Sequence, residues 1–248
     1  MKIKTILFDM DSTLNEIDER FFSKNYFSLL HKNYFADLTV EYFFDNLTDI
    51  TRHVMVSSTP DQLNIDTFMI EMSKCFNRTP EDLYKSFMNF YGKEYDKLKK
   101  HVKPAKVAKQ LLNNCIDKGY EIVIATTPVF PEIAINKRLK WGNLDKYDYK
   151  LVTHAENMHF SKPREEYYLE ILDVIGREVN ECIMVGNEFL GDIVGPTKLG
   201  MRTFYCPHPD SEDDFFTAPE LKRFSKIKPT ASGTLEDFHE LVMNDFNL

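Results

Sequence analysis

The 248-residue chain is sparing in several features that would otherwise set its class: nine glycines, one tryptophan, four cysteines and no long hydrophobic run. So few glycines exclude collagenous and low-complexity architectures. Apolar stretches such as Ile122 to Ala125 fall far short of the roughly 20 residues needed to span a bilayer, so no membrane segment is expected. Cys75, Cys115, Cys182 and Cys206 are scattered, without a CxxC pair or a histidine at ligand spacing, so they read as small buried hydrophobes with no zinc or redox role. Dense Lys/Arg blocks are also missing and the net charge is −8, which leaves no electrostatic footprint for nucleic acid. Asp9 and Asp11 interrupt the only apolar stretch near the N-terminus, which argues against a secretory leader and makes a cytoplasmic location the expectation.

What remains is the composition of a soluble globular protein, with 28% charged and 43% hydrophobic residues and enough length for a sizeable core. Residues 1–8 read as an apolar, β-branched strand, and the chain then becomes aromatic-rich and helical to about residue 101. Phe22, Tyr26, Leu29 and Leu30 recur at helical spacing, as do Leu83, Phe87, Phe90 and Tyr91. Thr79-Pro80-Glu81-Asp82 has the form of a helix start, with Thr79 as N-cap, and Ser58-Thr59-Pro60-Asp61 offers another. From Pro104 onward short strands and helices alternate, the pattern of a parallel sheet with crossover helices. Pro104 is expected to open a helix closed by Gly119. Strands are expected over Tyr120–Ala125, Tyr149–Thr153, Cys182–Val185 and Arg202–Tyr205. Helices are expected over Pro131–Leu139 and Glu165–Ile175, from the Gly186 cluster to Leu199, and after Thr234. Residues 206–226 read as polar surface.

Four polar clusters each follow a predicted strand: Asp9-Met10-Asp11, Thr126-Thr127, Ser161-Lys162-Pro163, and Gly186-Asn187-Glu188 with Asp192. In a parallel sheet every strand ends on the same edge, so the four would converge where open α/β sheets bind ligands.

In that order the clusters resemble the four motifs of the haloacid dehalogenase-like hydrolase superfamily. "FDMDSTL" is similar to the first motif, "IATT" to the second, "SKPREEYYLEIL" to the third and "IMVGNEFLGDIVGPTKLGM" to the fourth. The resemblance implies a doubly wound, mostly parallel α/β core over residues 1–14 and 103–248, with residues 15–102 inserted as a helical cap. It also implies a Mg²⁺-dependent phosphatase acting on a small phosphorylated metabolite. A phosphotransferase or mutase on the same scaffold, or a weakly active binding protein, are the alternatives.

Phosphoryl transfer needs an in-line nucleophile, cations to absorb charge and an acid for the leaving oxygen. By the resemblance Asp9 is the nucleophile and Asp11 the acid and later the base, an arrangement that disfavours dehalogenase chemistry. Thr126, with Thr127 as its one-residue alternative, and Lys162 would bind the phosphate, joined by Met10 in the loop. Asp9, Asp192 and the Asp11 backbone carbonyl would hold Mg²⁺, with Asn187 and Glu188 beside them. Asn187 stands where many members carry an aspartate, which removes one negative ligand. Thr13 reads as a loop-fixing hydroxyl. In the cap, nine aromatic residues from Phe21 to Phe44 suit bundle packing or an apolar pocket, and Arg20, Arg52 and His53 are candidates for a second substrate anion. Asn15–Asp18 and Val102–Pro104 would be the hinges. Oligomeric state is left open.

Overall fold

The computed structural model describes residues 2–57, 60–208 and 222–246. Within it, a six-stranded sheet has the order β5-β4-β1-β6-β7-β8, formed by Thr5–Phe8 (β1), Glu121–Ile124 (β4), Leu151–Val152 (β5), Cys182–Gly186 (β6), Arg202–Tyr205 (β7) and Ala231–Ser232 (β8). Every neighbouring pair in it runs parallel. Strand β1 is flanked by β4 on one side and β6 on the other, so the connections change direction at its end, where such sheets place ligands.

Successive strand residues point to opposite faces, and the core divides accordingly. Ile6, Phe8, Ile122, Ile124, Ile183 and Val185 pack beneath Ala108–Asp117 (α5) and Leu235–Met243 (α9). Leu7, Val123 and Met184 face the opposite layer, where Tyr167, Tyr168 and Ile171 of Glu165–Ile175 (α7) cover them. These strands are buried on both faces, which is why they read as continuous apolar runs.

A third cluster belongs to the inserted helices Glu19–Tyr34 (α1), Val40–Val56 (α2), Asn64–Phe76 (α3) and Pro80–Gly92 (α4). Its aromatic members pack edge to face: Tyr26 on Phe90 at 5.4 Å, Phe68 on Phe87 at 5.5 Å. Thr79 caps α4 with Pro80 at its first position, and Thr234 caps α9, as the sequence patterns require. The other expected helix start includes Ser58 and Thr59, which lie outside the described residues, and α3 begins later, at Asn64. Most of 206–226 lies outside them too.

Two expectations need correction, and the expected hinge segments take a defined form. Pro104 opens no helix; it ends a short strand, Val102–Pro104 (β3), and α5 begins at Ala108. Strand β3 pairs antiparallel with Asn15–Ile17 (β2), so the two expected hinge segments form one hydrogen-bonded ribbon, with Pro104 terminal where its missing N–H is tolerated. Between β6 and Gly200 the chain forms a π-helical stretch, Phe189–Val194, and only one turn of α-helix, Gly195–Lys198 (α8). The remaining helix, Glu132–Trp141 (α6), bears on the site.

Candidate active site

Asp9 extends the ladder of β1 by one residue, its N–H donating to the Val185 carbonyl at 2.8 Å. The chain then turns: Leu14 and Asn15 both donate to the Met10 carbonyl at 2.9 Å, and Ser12 takes a left-handed backbone at φ 58°. That turn sends the two acids to different partners. Asp9, 5% exposed, accepts from Lys162 Nζ at 2.7 Å, whereas Asp11 pairs with Arg138 of α6.

Lys162, 1% exposed, also donates to Asp192 Oδ1 at 2.6 Å, and Asp192 Oδ2 accepts from the Glu188 N–H at 2.9 Å. Gly186 makes room for this arrangement, since a Cβ there would lie 2.1 Å from Asp192 Oδ2. Burial alone would lower the Lys162 pKa, but Asp192 and Asp9 outweigh it and hold the ammonium protonated well above the ordinary range. Burial raises the pKa of Asp192 despite the lysine beside it. Burial also raises that of Asp11, with Arg138 pulling the other way. Perturbed carboxyls gathered at a sheet edge are characteristic of reactive sites.

The other strand ends join this edge. Thr126 follows β4, and its carbonyl accepts from Tyr167 Oη and Thr153 Oγ1, both at 2.8 Å. Thr13 Oγ1 donates to Asn187 Oδ1 at 3.0 Å, a loop-fixing contact.

A cavity of about 960 Å³ opens between this edge and the inserted helices. Asp9, Asp11, Thr126, Thr127, Arg138 and Glu188 line its polar end, and α1, α2, α3 and α4, with Ile17 and residues 129–131, enclose the rest, chiefly with aromatic and aliphatic side chains. Lys162, Asn187 and Asp192 sit behind the cavity wall, buried. Met10 is fully buried in the sheet core, so its side chain cannot meet a phosphate. Of the three cap candidates Arg20 lines the cavity, while Arg52 and His53 are exposed on α2 and do not line it.

Arg138 went unmarked in the sequence patterns. It is 3% exposed, and it occupies the inward face of α6 together with Ala134, Ile135 and Leu139. A charge on an otherwise apolar helical stripe was the available signal.

The residues of this edge that could ligate a metal offer oxygens, the carboxylates of Asp9 and Asp192 with Asn187 and Glu188 following β6, and oxygen ligands suit a hard cation such as Mg²⁺. The chain's own cation, Lys162, bridges two of those carboxylates, so they already converge on one positive centre. Among the described residues no three His, Cys, Asp or Glu side chains gather as a metal site, so the donor chemistry that fits Mg²⁺ is these two carboxylates with neutral oxygens beside them, Asn187 keeping the negative charge low.

Among known proteins, the family model for haloacid dehalogenase-like hydrolases matches residues 6–206. Pyrophosphatase PpaX of Bacillus cereus strain AH820 is 28% identical over 203 residues, which covers 82% of either chain. Two solved structures resemble the whole chain in fold. YfnB from Bacillus subtilis, bound to magnesium, aligns over 100% of both chains with a TM-score of 0.56 and 20% identity. The L-2-haloacid dehalogenase RSc1362 aligns over 98% of this chain and all of its own, with a TM-score of 0.61 and 15% identity.

Proposed function

This chain belongs to the haloacid dehalogenase-like hydrolase family, and from that premise we propose that it is a magnesium-dependent phosphatase that hydrolyses a small phosphorylated substrate through a phosphorylated Asp9. The observation that carries the reading is the separation of the two acids: Asp9 on Lys162 at 2.7 Å, Asp11 on Arg138. Two carboxyls in different environments can take different roles, one nucleophilic and one proton-transferring. The relatives named pyrophosphatase support phosphoryl chemistry over dehalogenation.

In this reading the Asp9 carboxylate attacks phosphorus in line with the leaving oxygen, forming an acyl phosphate. Asp11, whose carboxyl burial biases toward the protonated form, gives its proton to that oxygen as the bond breaks. Asp11 then takes a proton from the water that hydrolyses the acyl phosphate, and both acids return to their starting states. Lys162 holds Asp9 in place and neutralises charge gathering on the phosphoryl oxygens, while the Thr126 hydroxyl and N–H orient one of them. Asp9, Asp192, Asn187, Glu188 and the Asp11 carbonyl would hold Mg²⁺, which when bound absorbs further negative charge.

Residues 15–102 act as a cap over a core formed by residues 1–14 and 103–248, joined through the β2–β3 ribbon. Closure of the cap excludes water and selects the substrate. The test is hydrolysis of an aryl phosphate by protein stripped of metal and resupplied with Mg²⁺. Turnover should appear with the metal and vanish in Asp9→Asn; a mutant as fast as the parent removes Asp9 as nucleophile.

A further inference from the structure

Two cations are buried at the active edge, and they are used differently. Lys162 directs its ammonium to Asp9 and Asp192. Arg138 gives Nη1 to Asp11, but its Nε and Nη2 are buried without a partner, and so is Asp11 Oδ1. A buried guanidinium with idle donors is costly to maintain in a folded chain. Its position is nevertheless held, since the group lies over the Phe130 ring at 4.5 Å while Nη1 pairs with Asp11. Arg138 also lines the cavity shared with Asp9 and Asp11.

We propose that Arg138 is a specificity residue: its Nε and Nη2 donors hold a second anionic group, a phosphate or a carboxylate, carried by the leaving portion of the substrate. The inference rests on the phosphatase reading above, because it takes its sense of direction from Asp11. If Asp11 protonates the leaving oxygen, a group held by the arginine paired to Asp11 must belong to the leaving side. A planar fork with two free N–H groups matches the geometry of a carboxylate or a phosphate edge, which a lysine ammonium does not. The favoured substrates are therefore phosphate esters or anhydrides with a second anion close to the scissile oxygen. An incoming anion also supplies the partners that the idle donors lack.

The test compares full-length wild type, Arg138→Gln and Arg138→Lys, with Mg²⁺ present, on three probes. Phenyl phosphate has no second anion, pyrophosphate carries a phosphate, and 2-phosphoglycolate carries a carboxylate. In Arg138→Gln the loss of kcat/KM on at least one two-anion probe should exceed the loss on phenyl phosphate by about tenfold or more, mainly through KM, with Arg138→Lys between. Which of the two probes suffers identifies the anion. Equal losses on all three probes would show that Arg138 acts only through Asp11, and no loss that it is structural; either overturns the proposal. If wild type hydrolyses none of the probes, the phosphatase reading fails, and the binding assignment is judged by thermal shift. Methylenebisphosphonate or phosphonoacetate should raise the Tm of wild type more than methylphosphonate does, and Arg138→Gln should lose that difference. Identical shifts in the two proteins overturn the assignment.

Discussion

The sheet edge and the inserted helices solve opposite problems with opposite materials. At the edge, Asp9, Lys162, Asp192, Thr13 and Asn187 are buried and joined by hydrogen bonds between 2.6 and 3.0 Å. The helices are held instead by rings, with Tyr26, Phe35, Phe43, Phe87, Phe90 and Tyr95 forming one cluster, while ion pairs such as Lys74–Glu71 and Arg78–Asp37 reach the surface. A polar network is directional and fixes atoms; an aromatic cluster fills volume and leaves the shape of its gaps to ring orientation. The chemistry is therefore tied to the first region and the cavity's shape to the second.

The largest expected effect breaks the edge. Lys162→Met leaves Asp9 and Asp192 buried together with no cation between them, and urea denaturation should show a loss of about 3–5 kcal/mol along with loss of turnover. A loss below about 1 kcal/mol would mean that the lysine does not hold the edge together. Its counterpart among the helices is Phe90→Ala, since Phe90 is fully buried against Tyr26, Tyr91 and Tyr95 and does not line the cavity. Truncation should cost about 3 kcal/mol. If the helices are a separate cooperative unit, hydrogen exchange should accelerate in α1 and α4 while β1 and β6 keep their protection; uniform acceleration would erase the distinction between the regions.

The same contrast explains what could be read from the residues alone. Strands β1, β4 and β6 are runs of buried aliphatics ending in acids, threonines or glycine, so both their existence and the convergence of their polar ends were visible. Strands β2, β3 and β8 have only two or three residues, too few for a period to emerge, and Pro104 carried a helix-start signal that the ribbon with Asn15 overrode. Arg138 lay hidden because its role depends on which face of α6 meets the edge, a tertiary fact. In the inserted region the ring positions were legible as buried faces, but the 960 Å³ cavity was not, since it is lined jointly by the helices and by residues of the sheet edge distant in sequence. The inward turn of Met10 has a local reason: strand alternation continues one step past Asp9 and carries its side chain back into the core, which leaves only its backbone at the edge.

A smaller change sharpens the edge rather than breaking it. Asn187 contributes a neutral oxygen that accepts from Thr13 at 3.0 Å, and Asn187→Asp keeps that acceptor while adding a charge beside Asp9 and Asp192. Titration calorimetry should find Mg²⁺ bound about tenfold more tightly. Unchanged affinity would separate Asn187 from the metal altogether.

The smallest expected effect lies on the helices and completes the comparison. Arg78 donates to the Tyr34 carbonyl at 2.8 Å, lies over the Phe35 ring at 4.7 Å and pairs with Asp37 at 2.5 Å. The first two contacts are with the aromatic cluster and its helix end; the third is with a carboxylate whose side chain is 64% exposed. Water competes for that carboxylate and the arginine is already held by its other two contacts, so a geometrically short bridge adds little. Asp37→Asn should therefore change unfolding free energy by no more than about 0.5 kcal/mol, measured in parallel with Phe90→Ala. Were Asp37→Asn to cost as much as the lost ring, charge would be structural in the helices as it is at the sheet edge. A near-silent result places the stability of the inserted region in its rings, which leaves its surface charges free to change without disturbing the cavity.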